Sequence, residues 1–127
     1  MKITKINILI ILSILGFISC NAKYDQKEII QKYDISMNII INPKDEKIMF
    51  SSNSKDYINA SKDEYKKLLS IGKPLINYIL DKFKNTNSNG LEEAIMAQLC
   101  IDYLGDEASE IEWLSGREWF EKYKASK

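Results

Sequence analysis

The side chains able to do chemistry in this sequence are few, and their surroundings argue against most of it. General acid-base or glycosidic chemistry needs two carboxylates held at a defined separation in a cleft. Glu92, Glu93, Asp102 and Glu112 are the candidates, yet nothing in the sequence pairs any of them, and helix capping and solvation account for them more simply. The chain has no histidine, which removes the commonest general base and the Ser-His and Cys-His nucleophile pairs. Cys100 stands among apolar residues with no basic neighbour beside it, so it reads as a small buried hydrophobe rather than a reactive thiol. Asn85, Asn87, Asn89 and Gly90 copy positions 1, 3, 5 and 6 of a calcium-binding loop between two helices. The first position lacks its Asp, and Met96 stands where a bidentate Glu belongs, so the run reads as an ordinary asparagine loop. No catalytic residue, metal or cofactor is expected.

Two other groups of residues carry information. Trp113, Trp119, Phe120 and Tyr123 concentrate aromatic area near the C-terminus. They form either a sugar-stacking or peptide-binding surface or the closure of the core, and large aromatics at helical spacing favour the second. At the other end, Met1 to Lys5 carries two lysines, Ile6 to Ile18 is almost wholly apolar, and Phe17-Ile18-Ser19-Cys20 follows. That is a charged n-region, an h-region of signal-peptide length and a small residue at a processing site. The apolar run is shorter than the roughly 20 residues of a permanent membrane-crossing helix. Phe17-Ile18-Ser19-Cys20 resembles the lipobox of bacterial lipoproteins, with Phe17 in place of the usual leucine. The resemblance implies that Cys20 is diacylated through its sulfur and becomes the first residue after cleavage, with palmitate-like chains as the membrane anchor. Ordinary cleavage after Ala22, or an uncleaved anchor, is the alternative. The implied organisation is a signal peptide over 1–19, a linker over 20–24 and one small domain over 25–127.

The elements that must position these groups are helical. Ser61 and Glu64 stand at capping-box spacing and predict a helix start near Lys62, with Tyr65, Leu68 and Leu69 on one face. Gly72 suits a helix end and Pro74 a helix start, so the next helix runs from Pro74 to about Lys84 with Leu75, Ile76, Ile79, Leu80 and Phe83 as its stripe. A link this short makes the two helices immediate neighbours. The run from Asn85 to Gly90 is a loop. A third helix begins at Leu91, with Glu92 and Glu93 facing the positive end of its dipole. Leu91, Ala94, Ile95, Leu99 and Tyr103, widened by Met96, Cys100 and Leu104, leave it apolar over much of its circumference, so it is the expected centre of the core.

Before this trio, Ile29, Ile30, Tyr33, Met37, Ile40 and Ile41 share one third of a helical wheel and predict a helix over 25–41, which Ile35 and Ile39 do not join. The alternative is a short β-hairpin near residues 35–50, through Asn42-Pro43-Lys44-Asp45, given the isoleucine content. After Gly105, Ser115 and Glu118 repeat the capping-box spacing, and Leu114 is placed to pack on Trp119 as a hydrophobic staple before a last helix to about Tyr123.

The 127 residues carry no net charge and two cysteines, which fits one small domain behind a targeting segment. Removing Lys2 and Lys5 with the signal peptide leaves the remainder weakly acidic, so no nucleic-acid partner is expected. With Cys20 acylated, Cys100 has no intramolecular partner, and the fold must stand on packing. Ser52-Asn53, Asp56-Tyr57, Gly72-Lys73, Tyr78, Asn89-Gly90-Leu91-Glu92, Ile95-Met96-Ala97, Cys100 and Trp113 through Trp119 together resemble a small helical domain of uncharacterised lipoproteins from AT-rich bacteria. That likeness covers roughly 50–123 and brings no activity with it. The Gly-Lys-Pro helix pair is also loosely similar to a single HEAT-like repeat. The expectation is an all-α bundle of four to five helices anchored through Cys20 to a bacterial cell membrane on its extracytoplasmic face. Its role is binding a protein or peptide without catalysis; the alternative is a cell-wall or glycan-active enzyme using carboxylates.

Overall fold

The computed structural model describes residues 24–127. The expected signal peptide and Cys20 lie outside them, as does the linker up to Lys23. The described residues are all-α, with eight helices and no strand. None of these helices is long and apolar enough to cross a membrane.

Helix α1 (Gln26–Ile41) starts where the Asp25 carboxylate accepts from the Glu28 amide at 2.7 Å, which satisfies one of the orphan donors of a helix start. Its spacing separates the isoleucines as the wheel requires. Ile29, Tyr33, Met37 and Ile40 are buried, whereas Ile35 and Ile39 face outward. The hairpin alternative does not form. Pro43 ends the helix, and Asp45 then caps a single turn, α2 (Glu46–Met49), by accepting from the Lys47 amide. Helix α3 (Ser54–Ala60) follows from an Asn53 cap.

The Ser61 cap is a correction. Ser61 closes α3 and opens α4 (Lys62–Ile71) at once, and its side chain makes no capping bond. Glu64 instead accepts from Ser36 Oγ of α1 at 2.9 Å and pairs with Lys67 at 2.9 Å. A capping box needs both side chains turned to the local backbone, and here the contact between α1 and α4 takes the glutamate. Gly72, at a φ of 81° that side chains disfavour, then turns the chain into α5 (Lys73–Asn85), with Pro74 in its first turn.

Helix α6 (Leu91–Leu104) is the centre of the core, as its nearly all-round apolar character predicts. It packs on α1, α3, α4, α5, on the short α7 (Asp106–Ser109) and on α8 (Gly116–Ala125). Ile95, Ala97, Leu99 and Cys100 are wholly buried. Two tyrosines tie its ends to neighbouring helices. Tyr33 donates to Glu92 at 2.6 Å from α1, and Tyr65 donates to Asp102 at 2.6 Å from α4. Among the described residues the large buried side chains come from 29–120, so the segment from Tyr24 onward has a hydrophobic core of its own, as a domain that folds alone requires. Five helices of ten or more residues make up the bundle, joined by two single turns and the short α3. The two single turns and the short α3 account for the excess over the four to five expected, since four to seven residues are too few to show a helical period.

Candidate functional site

A cleft of about 670 Å³ opens beside the start of α6. Ser51 to Lys55 form one wall, Asn89 to Leu91 with Ala94 and Gln98 another part of the lining, and Trp113 to Ser115 a further wall. Local capping chemistry builds each piece. Asn53 spends its carbonyl oxygen on the Lys55 amide at 3.0 Å. Gly90 precedes α6 with no side chain to cap it. Ser115 accepts from the Glu118 amide at 3.2 Å, while the Glu118 carboxylate takes the Leu114 amide at 2.7 Å. That second bond and Lys122 hold the Glu118 carboxyl below the usual carboxylate range. Lys55 is the sole charged side chain lining the cleft among the described residues.

One large apolar side chain of the lining and another next to it in the chain stand out in solvent. Leu114 is 97% exposed, so the staple onto Trp119 does not form: the Glu118 bond fixes the Leu114 backbone, and its side chain turns away from the core. Phe50, 88% exposed, immediately precedes the Ser51 wall. The backbone around it is held as firmly. The Tyr57 hydroxyl is shared between the carbonyls of Met49 at 3.0 Å and Ser51 at 3.2 Å, on either side of Phe50.

The four aromatics of the C-terminal segment separate. Trp119 is fully buried, with Nε1 donating to the Ala108 carbonyl at 3.2 Å. Phe120 is buried and stacks on Phe83 at 4.9 Å between ring centres. Tyr123 stacks on Trp119 at 5.0 Å and is half-buried, and Trp113, also half-buried, is the member that lines the cleft.

The carboxylates named for catalysis are dispersed. Glu92 accepts from Tyr33 and pairs with Lys82 at 3.1 Å. Asp102 accepts from Tyr65 and from Gln98 at 2.9 Å. Ten residues separate them on one helix, about 15 Å of rise, which exceeds the roughly 5 to 9.5 Å of glycosidase pairs. Glu93 is buried and adjacent to Glu92, and neighbouring residues of a helix do not face each other. Glu112 is exposed and offers its backbone carbonyl to Lys122. Cys100 is buried, and burial pushes its thiol up to about 12, away from the thiolate form that reacts.

The asparagine loop is occupied by a cation from the protein itself. The Arg117 guanidinium donates to the carbonyls of Phe83 at 2.6 Å and Ser88 at 3.1 Å and to Thr86 Oγ1 at 3.3 Å, and the Arg117 amide donates to Asn89 Oδ1 at 3.3 Å. Sequence reasoning missed Arg117, because a bond across about thirty residues leaves no local pattern. It missed the two exposed apolar side chains as well. The four polar residues after Phe50 carry no sign of a wall in the sequence, and the Tyr57 clamp orders the backbone where they begin. No family model matches the chain, and neither a curated protein nor a solved structure does.

Proposed function

We propose that the protein is a membrane-tethered binding module without catalytic activity. Acylated Cys20 holds it on the extracytoplasmic face of a bacterial membrane, and the helical domain receives a protein or peptide partner in the cleft between Ser51 and Trp113. The observation that carries this reading is the lining of that cleft, which has hydroxyls, amides and one tryptophan but no carboxylate among the described residues. Such a surface can hold a polar ligand by hydrogen bonds and exclude water with an aromatic wall, and among the described residues it lacks the carboxylate pair that glycosidic chemistry would use. The tether rests on the n-region, the apolar run and the Phe17-to-Cys20 motif.

A photo-crosslinking side chain placed at Ser52 of the full chain in living cells tests the proposal. Discrete adducts with a protein or peptide are expected from Ser52 and not from Lys124, an exposed position near the end of α8. The same adduct pattern from both sites, or none from Ser52, would overturn it.

A further inference from the structure

We propose that the cleft takes an extended, uncharged segment of polypeptide, with the segment's backbone over the polar lining and its apolar side chains on Phe50 and Leu114. The inference rests on the binding-module reading and names the chemistry of its partner.

Each class of ligand makes its own demand on the lining. Nucleic acid and phosphorylated ligands need several cations, and the lining has Lys55 alone. A lipid tail needs a predominantly apolar groove, whereas Ser52, Ser54 and Asn89 make this one polar. The Ser52 and Ser54 hydroxyls bond nothing among the described residues, so they can meet a ligand's amides and carbonyls without breaking a capping bond. Gly90 keeps that part of the lining free of a side chain, and a bound chain can approach it closely.

Phe50 and Leu114 decide between the neutral ligands that remain. A saccharide would use the hydroxyls and the face of Trp113 but has no aliphatic branches for the two exposed apolar side chains, Leu114 in the lining and Phe50 next in the chain to Ser51. An extended peptide has both parts. Its backbone presents donors and acceptors along its length, and its side chains alternate to either side. The hydrogen bonds at Leu114 and around Phe50 give a reason for solvent exposure of large apolar groups: their backbones are already ordered, so covering them costs little further conformational entropy. Exposed apolar surface on a rigid support beside a concave polar lining is the arrangement of a pre-formed docking site.

The test titrates residues 24–127, isotopically labelled, with a pool of capped hexapeptides in which Ser, Thr or Gly alternates with Leu, Val or Phe. Saturable shifts of the Ser52, Gly90 and Ser115 amides and of the Trp113 indole are expected. Phe50→Ser and Leu114→Ser remove side chains that support no core, so both should melt like the parent while binding the pool about tenfold more weakly each. No shift with the pool, shifts confined to residues away from the cleft, or undiminished binding by both variants overturns the inference. Shifts with chitotriose and none with the pool would assign the cleft to a saccharide. Co-sedimentation with phosphatidylcholine and phosphatidylglycerol vesicles that depends on Phe50 and Leu114, with no response to the pool, would assign the two side chains to a lipid surface. In either case the Ser52 crosslink still reports independently whether a protein partner exists.

Discussion

At the scale of single residues, the tightest constraint lies where α8 meets α6. Gly116 is buried, and a Cβ built on it would stand 2.0 Å from the Glu93 carbonyl oxygen and 2.7 Å from the Ala94 amide nitrogen. Both are backbone atoms that cannot swing aside, so Gly116→Ala must push the two helices apart. Urea melts should show a loss of about 1 to 3 kcal/mol or more, and a change within error would mean that α8 shifts freely on α6. Leu99→Ala in the middle of α6 should lose about 2 to 5 kcal/mol by removing packed atoms and leaving a cavity. The tryptophans should part company in the same assay. Trp119→Ala should lose about 3 to 5 kcal/mol, and the indole of a Trp113→Phe variant, which retains Trp119 alone, should be poorly quenched by iodide. Strong quenching there with an unchanged melt of Trp119→Ala would place Trp119 outside the core.

At the scale of elements, position within a helix was legible in the sequence and the choice of distant partners was not. The wheel over 25–41 separated Tyr33 and Met37 from Ile35 and Ile39 correctly because burial on one face imposes a period. Gly72 and Pro74 located the junction of α4 and α5 through backbone chemistry that acts locally. Ser115 capped α8 for the same reason. Where another contact competes, spacing alone misleads: Glu64 leaves the Ser61 box for distant Ser36, and Leu114, its amide held by Glu118, leaves Trp119 for solvent. The candidate site suffers most, since its walls come from three separated stretches and no single window of sequence contains it. Arg117 is the sharpest case. It reaches the α5–α6 loop from α8 and lies over the Phe83 ring at 5.2 Å. Arg117→Met should keep the apolar stem while releasing the loop. Amide hydrogen exchange at Ser88 and Asn89 is expected to accelerate well before the helices do; unchanged exchange would mean that the asparagine run orders itself.

At the scale of the whole molecule, one core built on packing without a disulfide has a characteristic response to pH. Burial, and then the bonds to Glu92 and Asp102, raise Tyr33 and Tyr65 above the ordinary tyrosine value, and burial alone raises Cys100. The folded chain therefore keeps these protons at a pH where the unfolded chain has lost them. Stability from this source is complete at neutral pH. It declines as the pH rises past about 8.5 for the cysteine and about 10 for the tyrosines, their unfolded values. Urea midpoints should fall steeply between those values and pH 11, and Tyr65→Phe should flatten the slope; a level midpoint throughout would contradict the burial of these groups.

The proposed membrane tether at Cys20 is reached most directly by lipid labelling. Bacteria producing the full chain and fed an alkyne-bearing palmitate should yield labelled wild-type protein and unlabelled Cys20→Ser, because no other residue in the processing motif can carry the acylated sulfur. Label persisting in Cys20→Ser, or absent from the wild type, would contradict it.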